Sequence, residues 1–241
     1  MRRMQGYGGW LPVFGVLLLV SLCGCTGRLD HASIINKTAE LNPRELLQSD
    51  VDRMATLAMR NNLNSLYRLM DKLYQRNPRE WRKSGAASRS AAEQAIHQAI
   101  EGNQPLAQLG GRRDVAALSY ALGPDFQGDR VGAFIYALGS MLVTAHGGRT
   151  EFYLTDSFNA EFIHNAARNV EKAAWMLGQR RDDQGRPLLL SNEAGNLSYA
   201  VEFGKMVARL DLLTHVLEER YRRMGANYAQ SLMFINFLPV Q

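Results

Sequence analysis

The sequence predicts an all-α protein, an irregular helical bundle with an N-terminal helical hairpin. Three observations carry that prediction. Apolar residues recur at helical spacing in long windows, above all Tyr199, Phe203, Met206, Leu210, Leu213 and Leu217, which alternate steps of four and three. Capping signals stand ahead of several of these windows, as in Asn42-Pro43-Arg44-Glu45 and Ser90-x-x-Glu93. Strand-like alternation is scarce, and its best example, Glu151-Phe152-Tyr153-Leu154, is short.

Composition sets the outer limits. The chain has 241 residues, 46% hydrophobic and 21% charged, enough apolar material for a real core. Formal net charge is +5. Residues 1–24 hold Arg2 and Arg3 and no acid, so the remainder carries 26 basic and 23 acidic groups. That excess is too small to imply nucleic acid as a partner. The only cysteines are Cys23 and Cys25, so the body of the protein has no disulfide, zinc–thiolate site or iron–sulfur cluster.

The first thirty residues read as an address. Arg2 and Arg3 precede an apolar stretch from Leu11 to Leu22. As a helix it would cover about 20 Å, short of the roughly 30 Å hydrocarbon core, which fits a signal peptide better than a span. It ends Leu22-Cys23-Gly24-Cys25, with leucine three before a cysteine and small residues between. This resembles the lipobox of bacterial lipoproteins, with Cys23 where alanine or serine is commoner. The resemblance implies cleavage between Gly24 and Cys25, a diacylglyceryl thioether on Cys25 and acylation of the new amino terminus. Thr26 follows the cysteine where an acidic residue would retain the protein at the inner membrane, so the outer membrane is favoured, facing the periplasm. Each buried methylene contributes on the order of 0.8 kcal/mol, and two or three chains make attachment effectively permanent.

The expected organisation is therefore a cleaved signal peptide at 1–24, a lipidated cysteine and tether at 25–41, a helical hairpin region at 42–104 and a main bundle at 112–241. In the hairpin region, Asn42-Pro43-Arg44-Glu45 recurs as Asn77-Pro78-Arg79-Glu80, thirty-five positions later. Between them Val51, Met54, Ala55 and Ala58, then Leu66, Met70 and Leu73, keep helical spacing, and Asn61-Asn62 is the expected break. Tetratricopeptide repeats have a similar period, but their pattern of small and aromatic residues is absent. Gly102 to Arg113, with Pro105, Gly110 and Gly111, is the clearest internal loop.

The second half holds most of the core. Val131 to Ala145 is nearly continuous apolar sequence and too short to span, so it reads as a buried central helix closed by His146 and Gly147. Tyr-Ala-Leu-Gly occurs at 120–123 and 136–139, which reads as coincidence or a small-residue packing surface rather than a duplication. A helix from about Ser157 to Leu177 is expected to bury Phe158, Phe162, Ala166, Val170, Ala173 and Leu177. The longest helix is expected from about Leu197 to Met224, after a loop at Gln184 to Asn196.

Chemistry-bearing motifs are few. Glu161-x-x-His164 projects a carboxylate and an imidazole from one helical face, the element that dimetal helical bundles use twice with two further glutamates. No second copy exists: Glu93 and His97 are four apart, and His215 and Glu218 run in reverse. Glu161 and His164 are thus weak metal candidates, and no cofactor is expected. His146-Gly147-Gly148 resembles the oxyanion loop of some lipases, yet no Gly-x-Ser-x-Gly accompanies it. Phosphate-cradling, dinucleotide and calcium-loop signatures are also missing. Basic groups gather near expected helix ends, at Arg76 to Lys83, Arg112-Arg113, Arg180-Arg181 and Arg220 to Arg223, where they offset the macrodipole. Trp81 fits either a membrane interface or the apolar end of the hairpin.

The leading functional expectation is a lipid-anchored, non-catalytic module that docks an envelope protein. A lipid-binding role, with Val131–Ala145 and the apolar tail Leu232 to Val240 lining a pocket, is the second. An enzyme gathering His164, Glu161 and Glu171 is the third.

Overall fold

Among the described residues, six α-helices follow from local chemistry that is mostly explicit in the chain. The computed structural model describes residues 49–153, 159–191 and 198–236. The signal segment, Cys25, the tether, the Asn42-Pro43 start and Phe158 lie outside these residues. The helices are α1 (Asp50–Arg76), α2 (Arg89–Glu101), α3 (Asp114–Ala121), α4 (Arg130–Ala145), α5 (Ala160–Gln179) and α6 (Ser198–Asn236). Among the described residues there is no strand, only a single bridge between Arg181 and Pro187. The all-α bundle is therefore as the periodicity predicts.

α4 is the centre. Fourteen of its sixteen residues are buried, and it packs against α1, α2, α3 and α5. A helix that is apolar on all sides must be enclosed on all sides. Asp129 starts it by accepting the Gly132 amide on Oδ1 at 2.9 Å. Gly132 and Gly139 form the small surface that lets α2 approach. A Cβ on Gly139 would lie 2.5 Å from Ile100 Cδ1, and one on Gly132 2.7 Å from Ile96 Cδ1.

α6 is the second long support, packed on α1 and α5. All six residues of its predicted stripe, from Tyr199 to Leu217, are buried. Its contact with α1 is antiparallel and partly polar. Lys72 Nζ meets Glu202 Oε1 at 3.1 Å, and Arg209 Nη1 donates to the Asn61 carbonyl, Asn62 Oδ1 and Ser65 Oγ, each at 3.1 Å. Arg220 Nη1 stands 3.8 Å from Asp52 Oδ1. These spaced pairs fix the register of two helices whose apolar faces alone would tolerate a slip.

The N-terminal hairpin is present, with its turn displaced. Instead of breaking at Asn61-Asn62, α1 runs unbroken to Arg76. Asn62 is fully buried and held by Arg209 of α6, so an apparent breaker is a tertiary contact. The turn is at 77–88, and α2 returns antiparallel to α1: Asp71 pairs with Arg89, and Tyr67 Oη donates to Glu101 Oε1 at 2.8 Å. Two expected helix starts also move. Ser49 and Asp52 form the capping box of α1, and Ser88, not Ser90, caps α2 by accepting the Ala91 amide. Glu93 is occupied by Arg89 at 2.7 Å. Asn77 closes α1 rather than opening a helix: Nδ2 donates to the Leu73 and Leu190 carbonyls, and Oδ1 accepts the Leu190 amide at 2.9 Å.

Other expectations resolve locally. The Gly102–Arg113 loop contains one 3-10 turn, Ala107–Leu109, with Leu109 buried and Gly110 and Gly111 at positive φ. Residues 151–153 are not a strand; Phe152 is buried and its amide donates to Thr56 Oγ1 at 3.2 Å. Trp81 sits in a 3-10 turn of the hairpin connection, half-buried against the core, with Arg82 over its ring. The α5 stripe is the one misassigned face. Phe162 is 55% exposed, and Ile163 is buried in its place.

Candidate interaction surface

The exposed Phe162 belongs to a groove. Asn159 starts α5 by accepting the Glu161 amide at 2.8 Å, which sets Phe162 in the first turn, facing out. Steps of four advance about 40° past a full turn, so Phe162, Ala166 and Val170 drift across the helix face. Ile163, Ala167, Val170, Ala173 and Leu177 hold to the core side. Beside Phe162, the starts of α3 and α5 and the end of α4 enclose about 240 Å³, with Val115, Met141 and Ala166 on the walls and Asn165 and Asn169 on the rim.

The rim is fixed by an unusual backbone. Asp114 has φ +53, a left-handed conformation uncommon for a residue other than glycine. Its amide donates hydrogen to Ser140 Oγ at 2.9 Å, and Thr144 Oγ1 donates to its Oδ1 at 3.2 Å. Ser140 is thereby used structurally: it also donates to the Ala137 carbonyl. The cost of such a conformation is of order 1–3 kcal/mol, and it persists where the surroundings dictate it. A rigid apolar groove with amides on its edge suits an apolar side chain presented by another protein.

Glu161 and His164 are both exposed and do not converge with a third ligand. Glu171 pairs with Arg168 at 2.9 Å, and Arg168 also holds Asp211. His97 stacks on Tyr67 with centroids 3.6 Å apart, and His215 faces Glu218 at 3.5 Å in solvent. Among the described residues, no three of His, Cys, Asp and Glu are grouped so as to hold a metal ion.

The buried titratable groups are structural joints. Tyr74, Asp129, Glu80 and Arg130 tie the hairpin to the start of α4. Glu80 Oε2 accepts the Arg130 amide at 2.9 Å, and the Arg130 guanidinium donates to the carbonyls of Ala121, Gly123 and Phe126. Burial pushes the Asp129 carboxyl above the usual carboxylate range, against the lowering effect of its Gly132 and Tyr74 hydrogen bonds. His146 is buried; desolvation pushes its imidazole down to about 4, and Nδ1–H donates to the Leu142 carbonyl at 2.8 Å. The His146-Gly147-Gly148 segment is thus a helix end: the Gly147 and Gly148 amides bond back to Thr144 and Val143.

What the described residues define is a helical bundle with an apolar groove beside Phe162, and buried polar groups that serve as packing joints. No family model, no characterised protein and no solved structure matches the chain.

Sequence reasoning missed Phe162, Val115 and Asp114 as surface features. Counting drift along steps of four would have separated Phe162 from Ile163. No local signal marks Asp114, whose conformation depends on Ser140 and Thr144 of α4.

Proposed function

We propose that this chain is a lipid-anchored, non-catalytic module of the bacterial envelope, held on the membrane through Cys25 and docking an envelope protein through the Phe162 groove. The observation that carries the docking role is an aromatic side chain left 55% exposed beside a walled apolar groove. Leaving a phenylalanine in water forfeits roughly 1.5–3 kcal/mol of burial, and a partner restores it. Membrane attachment rests on the Leu22-Cys23-Gly24-Cys25 motif and the apolar stretch before it.

Site-specific photo-crosslinking in intact cells tests the docking role. A photoreactive residue at Phe162 should give a discrete adduct that the same residue at exposed Glu218 does not give. Identical patterns from both positions would contradict a docking groove.

A further inference from the structure

α1 carries two apolar rows, and the core uses one of them. The core row includes Ala55, Met59, Leu63 and Leu66, all buried. A second row, Asp50, Arg53, Met54, Leu57, Ala58 and Asn61, repeats steps of three and four along the flank of the helix. Arg209 and Leu212 of α6 complete the opposite wall, and the two helices enclose a groove of about 450 Å³. Leu57 is 50% exposed and Leu212 55%, one on each wall. From Asp50 to Asn61 the helix rises about 16 Å, the length of three turns. The groove shares no residue with the one beside Phe162.

Its charges are also placed. Arg209 Nη1 donates to the Asn61 carbonyl, Asn62 Oδ1 and Ser65 Oγ, so one nitrogen pins the guanidinium to α1. The Nε–Nη2 edge, on the side away from Nη1, takes part in none of these bonds. Among the described residues neither Arg209 nor Arg53 has a carboxylate at ion-pair distance. A guanidinium already held in place, with that edge free, is a preorganised fork for a carboxylate. Asp50 is the one acid on the walls, so the groove is net positive.

Shape and charge together select the occupant. Two antiparallel helices with leucines on both walls form the kind of groove that takes the apolar stripe of a third helix. A second copy, facing its equivalent across a twofold axis, would set Arg53 and Arg209 against the same two cations, with Asp50 alone to offset them. A flat bilayer does not fill a concave groove. An acidic amphipathic helix satisfies both requirements: its leucine-type side chains cover Leu57 and Leu212, and a flanking glutamate reaches the Arg209 fork.

We infer that the α1–α6 groove is a second docking surface, which seats an acidic amphipathic helix of a partner protein. The inference needs neither the lipid anchor nor the Phe162 groove, so failure of either leaves it standing.

The test holds the full-length chain in phosphatidylcholine nanodiscs, a neutral support that serves with or without acylation. The probe is a displayed library of short helices, with leucine fixed along one stripe and the flanking positions varied among Glu, Gln and Lys. Selected helices should be enriched in Glu on a flank. Their affinity should fall about tenfold or more for Leu57→Ser and for Arg209→Gln, and stay at the parent value for Phe162→Ser. Arg209→Gln also loses contacts with α1, so its thermal melt is recorded beside its binding. Leu57→Ser alters an exposed side chain and leaves the fold intact, so it carries the result if Arg209→Gln unfolds. No binder above empty nanodiscs, enrichment of Lys in place of Glu, or equal binding to Leu57→Ser and the parent overturns the inference. A concentration-dependent dimer in sedimentation that Leu57→Ser abolishes also overturns it, and assigns the groove to a second copy. Capture of phosphatidylglycerol vesicles that Leu57→Ser abolishes overturns it in favour of a bilayer.

Discussion

Tyr74 donates its hydroxyl hydrogen to Asp129 Oδ2 across 2.5 Å, joining the last turn of α1 to the residue that caps α4. Both residues are buried, and Asp129 Oδ1 is already occupied by the Gly132 amide. The pair therefore couples the hairpin to the central helix through a single carboxyl group.

Tyr74→Phe should destabilise the bundle by about 1–3 kcal/mol, because it leaves a buried carboxyl oxygen without its partner. Chemical denaturation measures this. A variant as stable as the parent would show that the pair is incidental to the joint.

Gly139→Ala should also destabilise, by roughly 1–3 kcal/mol. The added methyl meets Ile100, which is itself buried and has little room to move. Ile100→Val in the same chain should recover part of the loss. No recovery would place the cause outside the α2–α4 contact.

Stability should fall as pH drops from about 6.5 toward 4, through His146. The unfolded imidazole takes a proton below about 6.5, while the folded one resists until about 4. Within that window the unfolded chain binds more protons, so acid favours unfolding; above it the contribution is constant. The difference corresponds to about 3 kcal/mol. His146→Asn, which keeps a donor near Leu142, should flatten this part of the stability curve. An unchanged pH slope in that variant would assign the effect elsewhere.

Leu210→Ala should cost roughly 2–5 kcal/mol, since the side chain is fully buried midway along the α6 stripe. His164→Ala, at an exposed position, should stay within about 0.5 kcal/mol. Thermal melts with metal analysis of the parent compare the two. A stable Leu210→Ala beside a His164→Ala that loses bound metal would reverse the roles of core and site.

Two features were legible in the chain: the enclosed α4, from its nearly continuous apolar run, and the Tyr199–Leu217 face of α6, from its helical repeat. Neither needs knowledge of neighbours. What could not be read locally was decided by distant partners. Asn62 looks like a breaker until Arg209 of α6 donates to its Oδ1, and Asn77 looks like an N-cap until Leu190 takes both ends of its side chain. Phe162 was misplaced for a different reason, the angular drift of equal steps of four. The groove it borders needs three helices to exist, so no single stretch of sequence announces it.

The most direct test of the account is the chemical state of Cys25 in cells fed an acyl-chain analogue. The parent protein should carry the label and begin at Cys25 by mass, with a diacylglyceryl thioether and an acylated amino terminus. Cys25→Ala should accumulate as a larger, unlabelled precursor. Equal labelling of the two proteins, or a mature parent whose mass shows a free Cys25 thiol, would contradict the lipid anchor on which the proposed function depends.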